Sequence, residues 1–347
     1  MVPIQKKIAD IYSRLGDDTS KMIYANRLLY SLTGDQKYLQ AIIGMTAEGR
    51  EFYNRLKDGR CKVIFGAGVW GKEIIKTYTD VPFACFVDNQ KAGGKLLGLP
   101  VISFAEYIQR YREDLAVIAT RLYYEEFYQQ LKEHGIPDSN IINIGKIIDG
   151  LSRKQYFDLP ELKSAICRKE NFVDAGSFDG RTSILFSEWA KEKCGKIWAF
   201  EPEPDNAACC RKNLLKSFGG GYIQYEVIQK GLWDCRKQVS FASGAKGASK
   251  IGDMGNSTIE VDQLDAVLPE GEPATFIKMD LEGAEYHALE GAKQTIQRYR
   301  PKLAISVYHK PEDIWEIPGV ILNIHPGYKL YLRHYSIAAA ETVVYAI

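Results

Sequence analysis

Three short stretches combine residue types that can do chemistry. In Val173-Asp174-Ala175-Gly176-Ser177-Phe178-Asp179-Gly180 an apolar run ends in an acid and passes through two glycines into a helical pattern. Gly176 permits positive φ and brings bare backbone close to a ligand, and Gly180 lets the following helix pack near the strand. Around Ser177 the helix start offers N–H groups to a carboxylate or phosphate. Asp174 can accept from an ammonium group or hold the turn. The spacing is not G-x-G-x-x-G, so a dinucleotide pyrophosphate fits poorly and a ligand with an amino-acid head fits better. Glu201 closes the next apolar run, 27 residues after Asp174, where an acid is placed to bind ribose hydroxyls. An amino-acid end plus a ribose describes S-adenosylmethionine. The blander alternative is two turn-stabilising acids and two structural glycines.

The second stretch is IKMDLEGAEYHALEGA, residues 277–292. Its strand ends at Asp280, and alternation puts Lys278 and Asp280 on one face. Glu282-Gly283 then leads into a helix. In open α/β sheets the carboxyl ends of the strands meet at the ligand crevice. Asp280 and Glu282 would therefore lie beside Asp174 and Glu201. Otherwise Glu282 only charges a helix N-terminus, with Glu285 and Glu290 solvated. The third stretch, ISVYHKPEDIW, delivers Tyr308 and His309 to the same rim. His287 reads as packing, and His325 and His334 have no evident partner.

The elements that must position these residues are those of a mixed α/β chain. At 347 residues and 46% hydrophobic, it is long enough for about two domains with large cores. Residues 1–58 carry helical spacing and read as a helical cap or oligomerisation element. From 59 to 150 short β-branched runs (CKVIF, PFACFVD, LAVIAT, IINI) alternate with helices, which argues for parallel βαβ units. After the polar stretch LSRKQYFDLPELKSAICRKE, a second series fills 151–347: ENFVDAG, KIWAFE, YIQYEVI, QVSFA, STIEV, TFIKMD and KLAISVYH, then the hairpin YKLYLRHYS and ETVVYAI. Such a sheet is parallel at first and antiparallel at its edge. The fold class is thus α/β with two Rossmann-like domains behind a small helical segment.

The first series has its own glycine turn, Gly66-x-Gly68-x-x-Gly71 after CKVIF, with Asp88 17 residues past Gly71. That matches the dinucleotide fingerprint in strand–turn–helix context, although Trp70 beside Gly71 is bulky and nothing nearby suggests hydride chemistry. A nucleotide or nucleotide-sugar site, a nicotinamide site, or a fold kept for packing or dimerisation all remain open.

FVDAGSFDG, AFEPEPDN, IKMDLEGAE…LEGA, ISVYHKPEDIW and YLRHYS…ETVVYAI, in this order over about 170–347, resemble the FkbM-type family of S-adenosylmethionine-dependent methyltransferases. The resemblance implies a class I methyltransferase sheet of seven strands ending in a β-hairpin, and methyl transfer to oxygen. It implies acceptors among sugars of glycolipids or polysaccharides and hydroxylated small molecules. It places Asp174, Gly176, Ser177 and Gly180 in the methionine-side loop, Glu201 at the ribose, and Gly231 and Leu232 beside the adenine. It supplies no catalytic base, so Asp280, Glu282 and His309 are candidates from the residues alone, in that order. No metal is expected, although Asp280 and Glu282 could offer oxygen ligands if one took part. The first domain resembles small nucleotide- or nucleotide-sugar-binding units that precede sugar-modifying enzymes, and KLLGLPVIS (95–103) continues that likeness.

Composition narrows the alternatives. Forty-five Lys and Arg against 44 Asp and Glu leave no electrostatic footprint for a dedicated nucleic-acid binder. No Asn/Asp-Pro-Pro-aromatic base clamp occurs either. No apolar run approaches the ~20 residues of a membrane span, and the first residues do not read as a signal peptide. Seven scattered cysteines without a CxxC pair suggest reduced thiols rather than disulfides or zinc, consistent with a cytoplasmic protein that could form homo-oligomers. The competing readings are a nucleotide-sugar oxidoreductase or epimerase run by the first domain, and a non-catalytic nucleotide-binding regulator. The oxidoreductase reading predicts tight NAD binding and a Tyr–Lys or Cys active pair near 88–130; Tyr123 and Tyr124 occur there, but neither has a lysine four residues on. The glycine-rich 243–256 stretch is expected to be a mobile lid.

Overall fold

The computed structural model of the chain describes residues 3–242, 250–251 and 257–347. The expected lid lies outside the described residues, apart from the backbone of 250–251. Two compact units are present. One comprises Ala25–Gln155 with His334–Ala340; the other comprises the chain up to Tyr24, Tyr156–Arg333 and Glu341–Ile347.

The first unit holds a six-stranded sheet of β1 (Lys62–Phe65), β2 (Phe83–Val87), β3 (Lys95–Leu96), β4 (Leu99–Ile102), β5 (Leu115–Ile118) and β6 (Ile141–Asn143) in the order β3-β4-β2-β1-β5-β6. All pairings except β3–β4 are parallel. Both faces are buried: Ile64, Val117 and Ile142 point into one core and Val63, Phe65 and Ile118 into the other. This is why its strands are continuous apolar runs. Ile337 joins the first of these cores, and the Tyr78 hydroxyl and Arg27 guanidinium donate to the carbonyls of Ile337 and Ala339.

In the second unit the strands are β7 (Glu170–Ala175), β8 (Cys194–Phe200), β9 (Gln224–Ile228), β10 (Gly231–Leu232), β11 (Lys237–Ala242), β12 (Lys250–Ile251), β13 (Ser257–Asp262), β14 (Phe276–Met279), β15 (Lys302–Ser306), β16 (Leu330–His334) and β17 (Thr342–Ala346). Seven of them form one sheet in the order β16-β17-β15-β14-β7-β8-β9. The five from β15 to β9 are parallel, and β17 runs antiparallel to β15. Lys329 and Ile347 exchange a reciprocal pair of backbone hydrogen bonds, so β16 and β17 close the expected hairpin. QVSFA and STIEV, expected in the main series, instead pair antiparallel in a separate sheet ordered β10-β13-β11-β12.

The expected division at 58 and 150 also differs from these units. The first helix and the start of the second fall with the unit of the seven-stranded sheet, because Leu15 bridges Leu330, Ser20 Oγ accepts from the Leu332 amide, and Asp17 pairs with Arg333 at 2.7 Å. The polar stretch after 150 is no loose linker: Tyr156, Phe157, Leu159 and Leu162 are buried.

Beneath the parallel strands lies an aromatic core. The rings of Phe172 and Phe186 stack at 4.2 Å, and Phe276 meets Phe172 edge-on at 5.5 Å. Phe157 and Trp189 pack around them. This core anchors the strand ends that carry Asp174 and Asp280. Phe186→Ala removes a fully buried ring and is expected to cost about 3–5 kcal/mol, read as a lower urea midpoint for the unit with an unchanged slope.

Candidate active site at the carboxyl ends of the parallel strands

Parallel pairing brings the carboxyl ends of β8, β7 and β14 side by side, with Asp174 in register with Lys278 and with Ala199. After β7 the chain turns through Gly176 at φ 77°. A Cβ there would lie 2.0 Å from the Asp280 carbonyl oxygen, so only glycine lets the end of β14 approach. Gly176 and Ser177 amides both donate to the Phe200 carbonyl at 3.0 Å. Gly180, at φ 82°, meets Cys210 and Leu214 of the helix Pro204–Phe218. The close packing expected of it is therefore made to that helix.

Asp174 is completely buried. One oxygen lies 3.1 Å from Lys278 Nζ and the other accepts from Ser183 Oγ at 2.7 Å. Lys278, equally buried, also donates to the carbonyls of Ala175 and Gly176. The ammonium that Asp174 meets is thus the chain's own, and the acid holds the turn. Burial opposes the charge on Lys278, but Asp174, Asp280 and Glu201 outweigh it and raise its pKa. Glu201 follows β8, with its two oxygens accepting from the amides of Phe178 and Glu203 at 2.9 and 3.0 Å. Burial raises its pKa against those bonds. A Cβ on Gly231 would lie 3.8 Å from Pro202, next to Glu201, and Leu232 is buried beside it.

The second group of candidates converges one strand over. The Asp280 oxygens accept from the hydroxyls of Tyr156 and Tyr308 at 3.0 and 3.1 Å. His309 Nε2 lies 3.4 Å from Asp280 and 3.7 Å from Glu282, and Nδ1 lies 2.9 Å from Glu285. Burial alone would raise the Asp280 pKa, but the charges of Lys278 and His309 prevail and hold it low. Burial likewise disfavours a charged His309, yet contact with Glu285 and the charges of Asp280 and Glu282 push it up to about 9. Tyr156 and Tyr308 are held well above the ordinary phenol range by burial and by the Asp280 charge. At neutral pH the group is therefore a carboxylate flanked by phenol donors and an imidazolium. Glu282 adopts φ 53° and Gly283 φ 97°, which turns the chain so that Glu285 faces back to the Leu281 amide at 2.6 Å.

Glu285 and Tyr156 are site residues that sequence reasoning did not single out. Glu285 is buried rather than solvated; its spacing three residues after Glu282 was the available signal. Tyr156 reaches Asp280 across 124 residues of chain, and no local pattern announces it. His287, read as packing, stacks on Trp233 at 4.0 Å and meets Asp234 at 2.6 Å.

Gly66, Gly68, Gly71 and Asp88 lie in the other compact unit. Gly66 has φ 109°, and a Cβ on Gly71 would come within 2.3 Å of the Gly66 carbonyl oxygen. Asp88 accepts from the amides of Gln90 and Lys91, and Lys91 Nζ donates to the Ala67 carbonyl. Two Tyr-x-x-x-Lys spacings occur there: Tyr53 of the first donates to Asp80, and Tyr128 and Lys132 of the second are both engaged by Asp138.

The seven-stranded sheet order is consistent with methyltransferase folds. Residues 174–335 match the family described as Methyltransferase FkbM domain, which bears out the resemblance drawn from that part of the sequence. Among solved structures, a methyltransferase FkbM from Methylobacillus flagellatus KT is similar over 95% of this chain and 99% of its own, at 22% identity and a TM-score of 0.50, a likeness of fold. An O-methyltransferase from Bacillus cereus in complex with SAH aligns over 64% of this chain and 97% of its own, at 11% identity and a TM-score of 0.35. No curated protein matches the chain. No helix among the described residues is long and apolar enough to cross a membrane.

Asp313, behind His309, offers a check on this electrostatic arrangement. Burial, with the Glu285 charge behind it, pushes its carboxyl up to about 6. The folded chain thus keeps a proton there that the unfolded chain has released above about pH 4. Stability from this group is complete below about pH 4 and is lost as pH rises through about 6. Asp313→Asn keeps an acceptor for the Lys310 amide and is expected to raise stability at pH 8 by up to about 3 kcal/mol. Thermal unfolding should show that gain closing at pH 4.

Proposed function

We propose that this protein transfers a methyl group from S-adenosylmethionine to a hydroxyl oxygen of a sugar, a glycolipid or polysaccharide precursor, or a related hydroxylated small molecule. The observation that carries the reading is Asp280. It is an ionised carboxylate at the end of β14, oriented by two phenols, and its side chain remains 25% exposed. A hydroxyl is a weak acid, so its methylation gains from a fixed acceptor for its proton. A preformed carboxylate beside the cofactor loop supplies that.

The residues present fit the cofactor. Glu201, at the end of the strand next to β7, spends one lone pair of each oxygen on backbone N–H groups and keeps others for vicinal hydroxyls. Asp174 and Lys278 position the Gly176 turn rather than touch the ligand. When bound, S-adenosylmethionine supplies a methyl on a sulfonium, and the carbon–sulfur bond breaks as the carbon–oxygen bond forms. The chain's own work is to align the acceptor oxygen and exclude water. The hydroxyl proton passes to the Asp280–Glu282 carboxylate pair, while Tyr156, Tyr308 and His309 hold that pair in place.

Calorimetric titration with S-adenosylmethionine should show micromolar binding, weakened more than about tenfold by Glu201→Ala through loss of hydrogen bonds to a charged group. Asp280→Asn should leave that binding intact and lower methyl transfer to a hydroxylated acceptor by about 10²–10⁴-fold. A folded protein that does not bind S-adenosylmethionine would contradict the proposal.

A further inference from the structure

We infer that Asp280, Glu285 and His309 form a binding site for one divalent transition-metal cation, of the class of Mn2+ or Zn2+, at the acceptor end of the active site. The inference rests on the methyltransferase reading only for the cation's role, which is to hold the acceptor oxygen. Its existence stands on the geometry.

Each of the three side chains presents one ligand atom, and these atoms lie within 4.8 Å of one another. That is near the span open to ligands each about 2.0–2.2 Å from one ion. They come from three elements: the end of β14, the first turn of the helix Glu285–Glu290, and the residues after β15. The strained backbone at Glu282 and Gly283 folds the first two toward each other.

Unused bonding capacity points to an ion rather than a closed ion-pair cluster. The His309 side chain is only 5% exposed and that of Glu285 only 1%. Although carboxylate oxygens lie close to both His309 ring nitrogens, neither nitrogen completes a well-directed hydrogen bond, and Glu285 Oε2 has no hydrogen-bond partner. Buried polar atoms left in this state cost about 1–3 kcal/mol each, and one shared cation would take one His309 ring nitrogen and a Glu285 oxygen, with His309 releasing to solvent the proton it otherwise carries. The local charge has the same sign. Asp280, Glu282 and Glu285 surround one imidazole.

The donor set selects the ion. Two carboxylates and an imidazole suit Mn2+, Fe2+, Co2+ or Zn2+ better than Mg2+ or Ca2+, which prefer all-oxygen shells. Asp280 is the most open of the three, so the free coordination positions face the side from which an acceptor hydroxyl would enter.

The test titrates chelator-treated full-length protein with Mn2+ alone and, separately, Zn2+ alone, reading bound Mn2+ by electron paramagnetic resonance and both ions by calorimetry. S-adenosylmethionine binding is measured on the same sample. One ion per chain is expected. Glu285→Gln, His309→Gln and the more exposed Asp280→Asn should each weaken it more than about tenfold, since even groups that only orient a metal ligand are worth about 10–100-fold. Cofactor binding by the folded variants should persist. Protein that binds S-adenosylmethionine but neither ion overturns the cation site and leaves the methyltransferase reading standing. Ion binding that survives in every folded variant overturns it equally. Ion binding without cofactor binding supports the site and counts against the methyltransferase reading.

Discussion

The ion pair between Lys278 and Asp174, both fully enclosed and 3.1 Å apart, is the strut on which the active site hangs. Burying two charges is expensive, and a pair in a protein interior is sustained only when further hydrogen bonds satisfy both partners. Here they do. Ser183 Oγ takes the second Asp174 oxygen, and Lys278 spreads its remaining donors over the carbonyls of Ala175 and Gly176. Two adjacent strands are thereby locked at their carboxyl ends, and the Gly176 turn is fixed by its own carbonyl. Asp280 follows Lys278 by two residues on the same strand direction. The Gly176 turn and the strand end that carries Asp280 are thus held by one lysine, and removing either charge would leave the other buried without compensation.

The acidic cluster around His309 solves a different electrostatic problem. Three carboxylates within 3.7 Å of one ring would repel one another without a positive centre, and the ring is nearly sealed from water. Two phenols donate to Asp280 without adding charge; they fix its orientation, and the Tyr156 bond adds to the charges of Lys278 and His309 in keeping it ionised. One face of the Asp280 carboxylate nevertheless remains open, its side chain being 25% exposed.

Much of this was legible in the residues because each signal was local. The runs ending at Asp174, Glu201 and Asp280 have strand composition, each is followed by a turn, and the rule that parallel strands present their carboxyl ends together places their acids in one crevice. Alternation gave Lys278 and Asp280 a common face. What stayed hidden depends on long-range packing. Tyr156 lies in a polar stretch, and nothing near it in sequence reveals that its hydroxyl meets Asp280. Glu285 reads as a solvated helix residue until the left-handed backbone at Glu282 turns it inward. The separate pairing of β11 with β13 was equally invisible, since strand composition does not name a partner. Leu15, Asp17 and Ser20 joined the far end of the chain through contacts made more than 300 residues away.

The two glycine turns show why equal motifs need not carry equal weight. In each, a lysine ammonium bonds a carbonyl of the turn at 2.7 Å: Lys91 to Ala67 in one unit and Lys278 to Gly176 in the other. The glycines answer to different constraints. At Gly176 the chain's own backbone forbids a side chain, because the Asp280 carbonyl oxygen occupies the place of a Cβ. At Gly68 a Cβ would meet nothing within 4 Å, so packing does not require glycine there, while at Gly71 it does. A G-x-G-x-x-G spacing thus mixes a position fixed by folding with one that folding leaves open. The weaker-looking D-A-G-S-F-D-G turn is the more tightly determined of the two, because a buried charge and a neighbouring strand both bear on the same residue.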